Sequence, residues 1–280
     1  MEITFWGVRG SIATSGPAFA RFGGNTTCIE VACDRDRLIL DAGTGLRALG
    51  DKLCREAKML GRRIAATFFF SHLHWDHIQG FPFFAPAFRP DTALSLYGSR
   101  DALCGGLEDA LARQMQPPSF PVPLSAMAAE KQFHNIQSGD GIERGPFLVK
   151  TRALCHPQGS LGYRIEVGGK RFCFATDVEH RTDGIDEAIL ELARDVDLLV
   201  YDAQYTVAEY EGREGPPRKG WGHSTYVAAA EIAKAAGVKA LALTHHDPTH
   251  DDAIVEAIES EAKALFPNTF AAREGLTVRL

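Results

Sequence analysis

This sequence contains no CxxC pair, no apolar run of membrane-spanning length and no large excess of charge of either sign. Each absence excludes a class of protein. The six cysteines (Cys28, Cys33, Cys54, Cys104, Cys155 and Cys173) are scattered. In a chain with a large core they read as reduced, mostly buried thiols rather than a disulfide framework or a thiolate metal site. The longest apolar stretch, residues 81–88, is interrupted by Pro82 and Pro86 and falls far short of the roughly 20 residues a spanning helix needs. The opening MEITFWGVRG has neither a basic nor an apolar leader segment, so no secretory signal is visible and the chain reads as cytoplasmic, without membrane contact. A net charge of −6 over 280 residues argues against broad, charge-driven binding of nucleic acid. It leaves room for a small anion held at a local positive centre.

What is present is an ordinary globular composition, 45% hydrophobic and 24% charged, with apolar runs alternating with turn signals. Residues 3–6, 28–32, 37–40, 64–70, 93–97, 147–153, 162–167, 171–175, 198–201, 240–244 and 276–280 read as strands, short and rich in β-branched or aromatic residues. Gly168-Gly169 reads as a hairpin turn. Leu46, Leu49, Leu53, Ala57 and Leu60 recur at helical spacing, as do Leu103, Leu107, Leu111 and Met115, and Ile185, Ile189, Leu192 and Val196. Ser224 fits an N-cap for a helix through Ala236, and residues 252–266 form another before Pro267. No linker divides these elements, so one domain over residues 1–280 is expected, an α/β fold with two packed sheets and helices outside both. Residues 116–132, with four prolines, fit neither period and read as a long loop, a lid, a binding loop or a structural excursion.

The strongest chemical signal is Ser71-His72-Leu73-His74-Trp75-Asp76-His77, directly after the strand ending in Phe70. A tight turn after a buried strand could aim His72 and His74 at one cation, and Asp76 and His77 at a second. Here the chain resembles the metallo-β-lactamase superfamily, whose HxHxDH signature matches residues 72–77. The strand and Asp-Ala-Gly turn at residues 38–43, His156 after a strand, Asp177 in Phe174-Ala175-Thr176-Asp177, and His245 in Leu243-Thr244-His245 continue the match in order. The resemblance implies a four-layer αββα sandwich with two divalent ions, zinc in the first place, manganese or iron otherwise. One ion would be held by His72, His74 and His156 and the other by Asp76, His77 and His245, with Asp177 shared. Such a pair lowers the pKa of a bound water so that hydroxide exists near neutral pH.

His74 stands where the diiron flavoprotein branch carries a carboxylate, and Asp177 where β-lactamases of the fold place cysteine or histidine. Gly220-Trp221-Gly222-His223-Ser224-Thr225 resembles the His-Ser-Thr segment of the ribonuclease Z branch and of phosphoribosyl cyclic phosphodiesterase-like hydrolases. So do residues 5–11 and 23–27. This implies hydrolysis of a phosphodiester by metal-bound hydroxide, with Asp76 orienting the nucleophile and His223 protonating the leaving oxygen. The long basic arm by which ribonuclease Z grips transfer RNA has no counterpart here. A small or cyclic phosphodiester is therefore the expected substrate, large nucleic acid is not expected, and a homodimer is left open. Trp75 is open to stacking a base or to packing against the neighbouring loop, Arg9 is read as solvated rather than touching a phosphate oxygen, and His246 as facing away from the site. An RNA-processing endonuclease and a thioester or lactone hydrolase on the same metals remain the alternatives. The latter gives His223 no phosphate to serve.

Overall fold

Successive strand residues point to opposite faces, so a strand covered on both sides must be apolar throughout. The centre of this chain is built that way. In the computed structural model, which describes residues 1–99 and 105–280, one sheet contains β1 (Glu2–Gly7), β2 (Cys28–Cys33), β3 (Asp36–Leu40), β4 (Ile64–Phe69), β5 (Thr92–Ser99), β6 (Glu130–Ile136) and β14 (Thr277–Arg279). Its order is β14-β1-β2-β3-β4-β5-β6. The other contains β7 (Gly141–Arg144), β8 (Phe147–Leu154), β9 (Ser160–Val167), β10 (Lys170–Ala175), β11 (Leu198–Asp202), β12 (Leu241–Thr244) and β13 (Thr269–Ala271), in order β13-β12-β11-β10-β9-β8-β7. Each sheet starts with antiparallel neighbours and ends as a parallel set, β3 to β6 in one and β10 to β13 in the other.

The inner faces meet through Leu38, Leu40, Phe69, Tyr163, Phe172, Phe174, Leu198 and Val200. The residues between them face outward. Ile39, Phe68 and Phe70 pack under α1 (Leu46–Leu60), while Cys173, Ala175, Leu199 and Tyr201 pack under α4 (Glu187–Ala193) and α6 (Tyr226–Ala235). Short α2 (Trp75–Ile78) and α3 (Leu107–Gln114) lie on the first side, α5 (Val207–Tyr210) and α7 (Asp252–Leu265) on the second half of the chain. The result is the four-layer αββα sandwich. Among the described residues no helix is long and apolar enough to cross a membrane.

Several expectations are corrected. Strands β6, β7 and β13 carry too little apolar alternation to be read locally; β6, Glu-Lys-Gln-Phe-His-Asn-Ile, is a charged edge strand, as edges commonly are. It takes over the end of the expected 116–132 loop. The cap of α6 is Thr225, whose side chain accepts from Ala228 N, rather than Ser224. Gly168 and Gly169 do have positive φ, 57° and 76°. The described cysteines are free thiols, but only Cys28 and Cys173 are fully buried, and Cys155 is exposed. Cys104 and Leu103 lie outside the described residues.

Candidate metal centre

Parallel strands of both sheets end at one rim of the sandwich, where strand ends open a crevice for ligands. Asp41 follows β3, the 71–77 segment follows β4, His156 follows β8, Asp177 follows β10, and His245 follows β12. Asp41, Asp177 and His245 each leave their strand with left-handed φ, 59°, 54° and 61°. Non-glycine residues adopt that conformation only where surrounding structure holds it.

The structure brings all seven expected ligand residues together. Donor atoms of His72, His74 and His156 form one close group, and those of Asp76, His77 and His245 another. Asp177 lies between them. Its Oδ1 is 3.6 Å from His72 Nε2 and 3.8 Å from His156 Nε2. Its Oδ2 is 3.1 Å from His77 Nε2 and 3.2 Å from His245 Nε2. One carboxylate oxygen thus faces each group.

The outward ring nitrogens fix the protons. His156 Nδ1 donates to the Gly222 carbonyl at 2.8 Å and His77 Nδ1 to Asp41 Oδ2 at 2.8 Å. His245 Nδ1 donates to Gln204 Oε1 at 2.8 Å, and His74 Nε2 to Gln158 Oε1 at 2.8 Å. Ser71 Oγ donates to Asp41 at 2.7 Å and so accepts from His72 Nδ1 at 3.0 Å. A neutral imidazole has one proton; each is spent on the outer partner, and lone pairs are left converging. His156 Nε2 meets His74 Nδ1 at 3.1 Å, and His77 Nε2 meets His245 Nε2 at 3.3 Å. His72 Nε2 is buried without a hydrogen-bond partner among the described residues. Lone pairs facing lone pairs and carboxylates call for cations. In the second group, Asp76 Oδ2 is 3.2 Å and 3.3 Å from the two imidazole nitrogens; a tetrahedral ion with bonds of about 2.0–2.1 Å sets its ligands about 3.3 Å apart. The residues fit two divalent ions, and such second partners orient ligating imidazoles.

The electrostatics agree. Burial favours a neutral Asp177, but the imidazoles of His245, His77 and His72 overcome it and hold the carboxyl well below its usual range. Burial likewise opposes charge on His77, yet Asp177, Asp76 and Asp41 hold it well above the usual imidazole range. Those carboxylates favour positive charge at Nε2, either a second proton or a cation that takes its place. His72, penalised first by burial and then by His77, is held well below and stays neutral.

His223 sits beside this cluster, its ring 5.2 Å from that of His156 and 4.9 Å from that of His245. Its Nδ1 is 2.9 Å from Asp202 Oδ2, which directs Nε2 away from that carboxylate. Against desolvation, Asp202 and then Asp177 push His223 up to about 9.

Sequence reading missed Asp41, Asp202, Gln204, Gln158, Glu179 and Ser11 as site residues. Ser11 N donates to Asp76 Oδ2 at 2.8 Å. Glu179 accepts from Gly220 N at 2.7 Å, Gly222 N at 2.9 Å and the Tyr210 hydroxyl at 2.8 Å. Asp202 had a signal: like Asp177 it ends an apolar strand. Other readings are settled by position. Arg9 is fully buried rather than solvated, bonded to carbonyls of Gly23, Asp247 and His250. His246 faces away, with Nε2 on the Ala272 carbonyl. His134 stacks on Tyr97, His180 meets Ser224 and His250 meets Glu209. Trp75 is 72% exposed.

Comparison with known proteins matches residues 36–246 to the beta-lactamase superfamily domain. The ribonuclease BN of Cronobacter sakazakii is 25% identical over 329 aligned positions, covering 99% of this chain and 99% of that protein. Human tRNase Z, short form, shares the fold with a TM-score of 0.67 at 19% identity, over 100% of this chain and 99% of that one. A diphosphatase from the PhnP family has a TM-score of 0.66 at 18% identity, over 100% of this chain and 97% of that one.

Proposed function

The chain belongs to the beta-lactamase superfamily, and from that premise we propose that it is a metal-dependent hydrolase cleaving a phosphodiester. The observation that carries the reading is the Asp177 carboxylate with one oxygen toward each histidine group, beside a histidine anchored by its own carboxylate. His72, His74 and His156 would hold one divalent ion, Asp76, His77 and His245 the other, and Asp177 both. Imidazole and carboxylate donors suit zinc first, with manganese or iron also accommodated. When bound, such a pair neutralises phosphate charge and makes a water nucleophilic near neutral pH.

The remaining work falls to this chain's own residues. Asp76 is fixed by the Ser11 amide and orients the nucleophile. Asp202 holds His223 through Nδ1, leaving Nε2 to pass a proton to the departing oxygen. A thioester substrate offers no phosphate for that histidine, so the Asp202–His223 pair favours the diester.

For the substrate, the acidic balance of the chain supports a small or cyclic diester, whereas end-to-end likeness to a protein named ribonuclease BN supports RNA. That likeness removes the ground for excluding RNA. The test is hydrolysis of bis(p-nitrophenyl) phosphate by zinc-loaded protein, beside the His223→Ala variant and a thioester control. Diester turnover that collapses in the variant is the expected result. Thioester cleavage without diester cleavage would sink the reading while leaving the metal site standing.

A further inference from the structure

Trp221 is the residue between Gly220 and Gly222, next but one to His223, and half of its surface is exposed (50%). Burying an indole is worth more than leaving it in water, so a tryptophan held half-exposed two residues before a site histidine needs a reason. The loop that carries it is not slack. Glu179 grips the amides on both sides, Gly220 N and Gly222 N, and the Gly222 carbonyl receives the Nδ1 proton of His156. Gly222 has φ 86°, and a Cβ there would run into the His156 ring. The indole is therefore placed by the same bonds that place a metal-site histidine.

One face is already covered. The Arg218 guanidinium lies over the Trp221 ring at 4.5 Å and over the Tyr205 ring at 5.6 Å, and Tyr205 in turn packs its ring 5.9 Å from that of His223. This stack of Tyr205, Arg218 and Trp221 fixes the orientation of the indole before any ligand arrives, while half of the residue's surface stays open to solvent. Two peptide steps put its Cα within about 7.6 Å of that of His223, the reach of one nucleoside from its own phosphate. Trp75, also exposed, has no such backing among the described residues.

The geometry points to Trp221 as a stacking platform for a nucleobase, so that the diester taken at the metal centre is that of a nucleotide. This rests on the phosphodiesterase reading and specifies its substrate class. Base–aromatic stacking of this kind needs no particular base.

The test compares two diesters with the same p-nitrophenolate leaving group, thymidine 5′-p-nitrophenyl phosphate and methyl p-nitrophenyl phosphate. The readout is the ratio of their kcat/KM values, in which a general loss from a disturbed loop cancels. Zinc-loaded protein should prefer the thymidine diester, Trp221→Leu should lose that preference by on the order of tenfold, and Trp221→Phe should keep most of it. An unchanged ratio in Trp221→Leu, or an equal loss in the Phe variant, overturns the proposal. If neither diester is hydrolysed, the reaction assignment fails, and the platform is still judged by fluorescence of the zinc-loaded protein titrated with thymidine 5′-monophosphate. Quenching that survives Trp75→Phe and disappears in Trp221→Phe upholds it; quenching that persists in Trp221→Phe, or is absent throughout, overturns it.

Discussion

A carboxylate whose two oxygens face two different histidine groups cannot be replaced by an amide, which offers only one good acceptor. Asp177→Asn should therefore reduce bound zinc from two ions per chain to one or fewer by elemental analysis, with full occupancy overturning the shared-ligand assignment. His223 also lies within ligand distance of His156 and Asp177, but its Nδ1 is bonded to Asp202 at 2.9 Å, which sets it apart from the two groups built on the 72–77 segment. His223→Ala should retain both metals and lose roughly 10²–10⁴ in kcat. A variant that instead loses metal would move His223 into the ligand set.

At the scale of elements, what could be read from the sequence was what is local along the chain. The 72–77 segment is legible because four donors are covalent neighbours after one apolar strand. The Leu46–Leu60 helix is legible because its buried stripe, Leu46, Leu49, Leu53 and Ala57, repeats within one element. The partners that orient the ligands were not legible. Asp41 reaches His77 across 36 residues and Gln204 reaches His245 across 41, and nothing in either neighbourhood marks the pairing. Edge strands such as β6 escaped because a strand paired on one side can be polar. The start of α6 was misread by one residue since Ser224 and Thr225 are chemically equivalent caps; the backbone decides between them. Thr225→Ala should cost about 1 kcal/mol in a urea titration, whereas a Ser224→Ala loss of similar size would have to come through its bond to His180 instead.

Taken whole, the molecule draws its candidate ligands from both sheets, four after β4 of one and the other three, His156, Asp177 and His245, on the other. Metal binding should then stabilise the folded chain as a unit, since unfolding scatters the ligands; at a hundredfold excess over Kd the gain is about 2.7 kcal/mol. Chelation should lower Tm, and zinc should restore it. A second dependence is on acid. Glu209 is opposed by burial, but His250 and the Thr206 amide bring its carboxyl down to about 2. A carboxyl depressed on folding stabilises above its unfolded pKa, about 4.3, and that contribution is lost as pH falls toward 2. The Tm gap between wild type and Glu209→Gln should be widest near neutrality and close in acid. A gap that grew in acid would reverse the sign.

Strand β14 (Thr277–Arg279) lies beside β1 (Glu2–Gly7), with Thr277 opposite Thr4 and Leu280 N bonded to the Met1 carbonyl. During synthesis β1 thus waits for a strand made about 270 residues after it, and that rim of the first sheet stays bare until residues 277–279 have been added. A nascent chain stalled short of residue 277 would present that rim to other chains, the kind of unpaired backbone that invites aggregation.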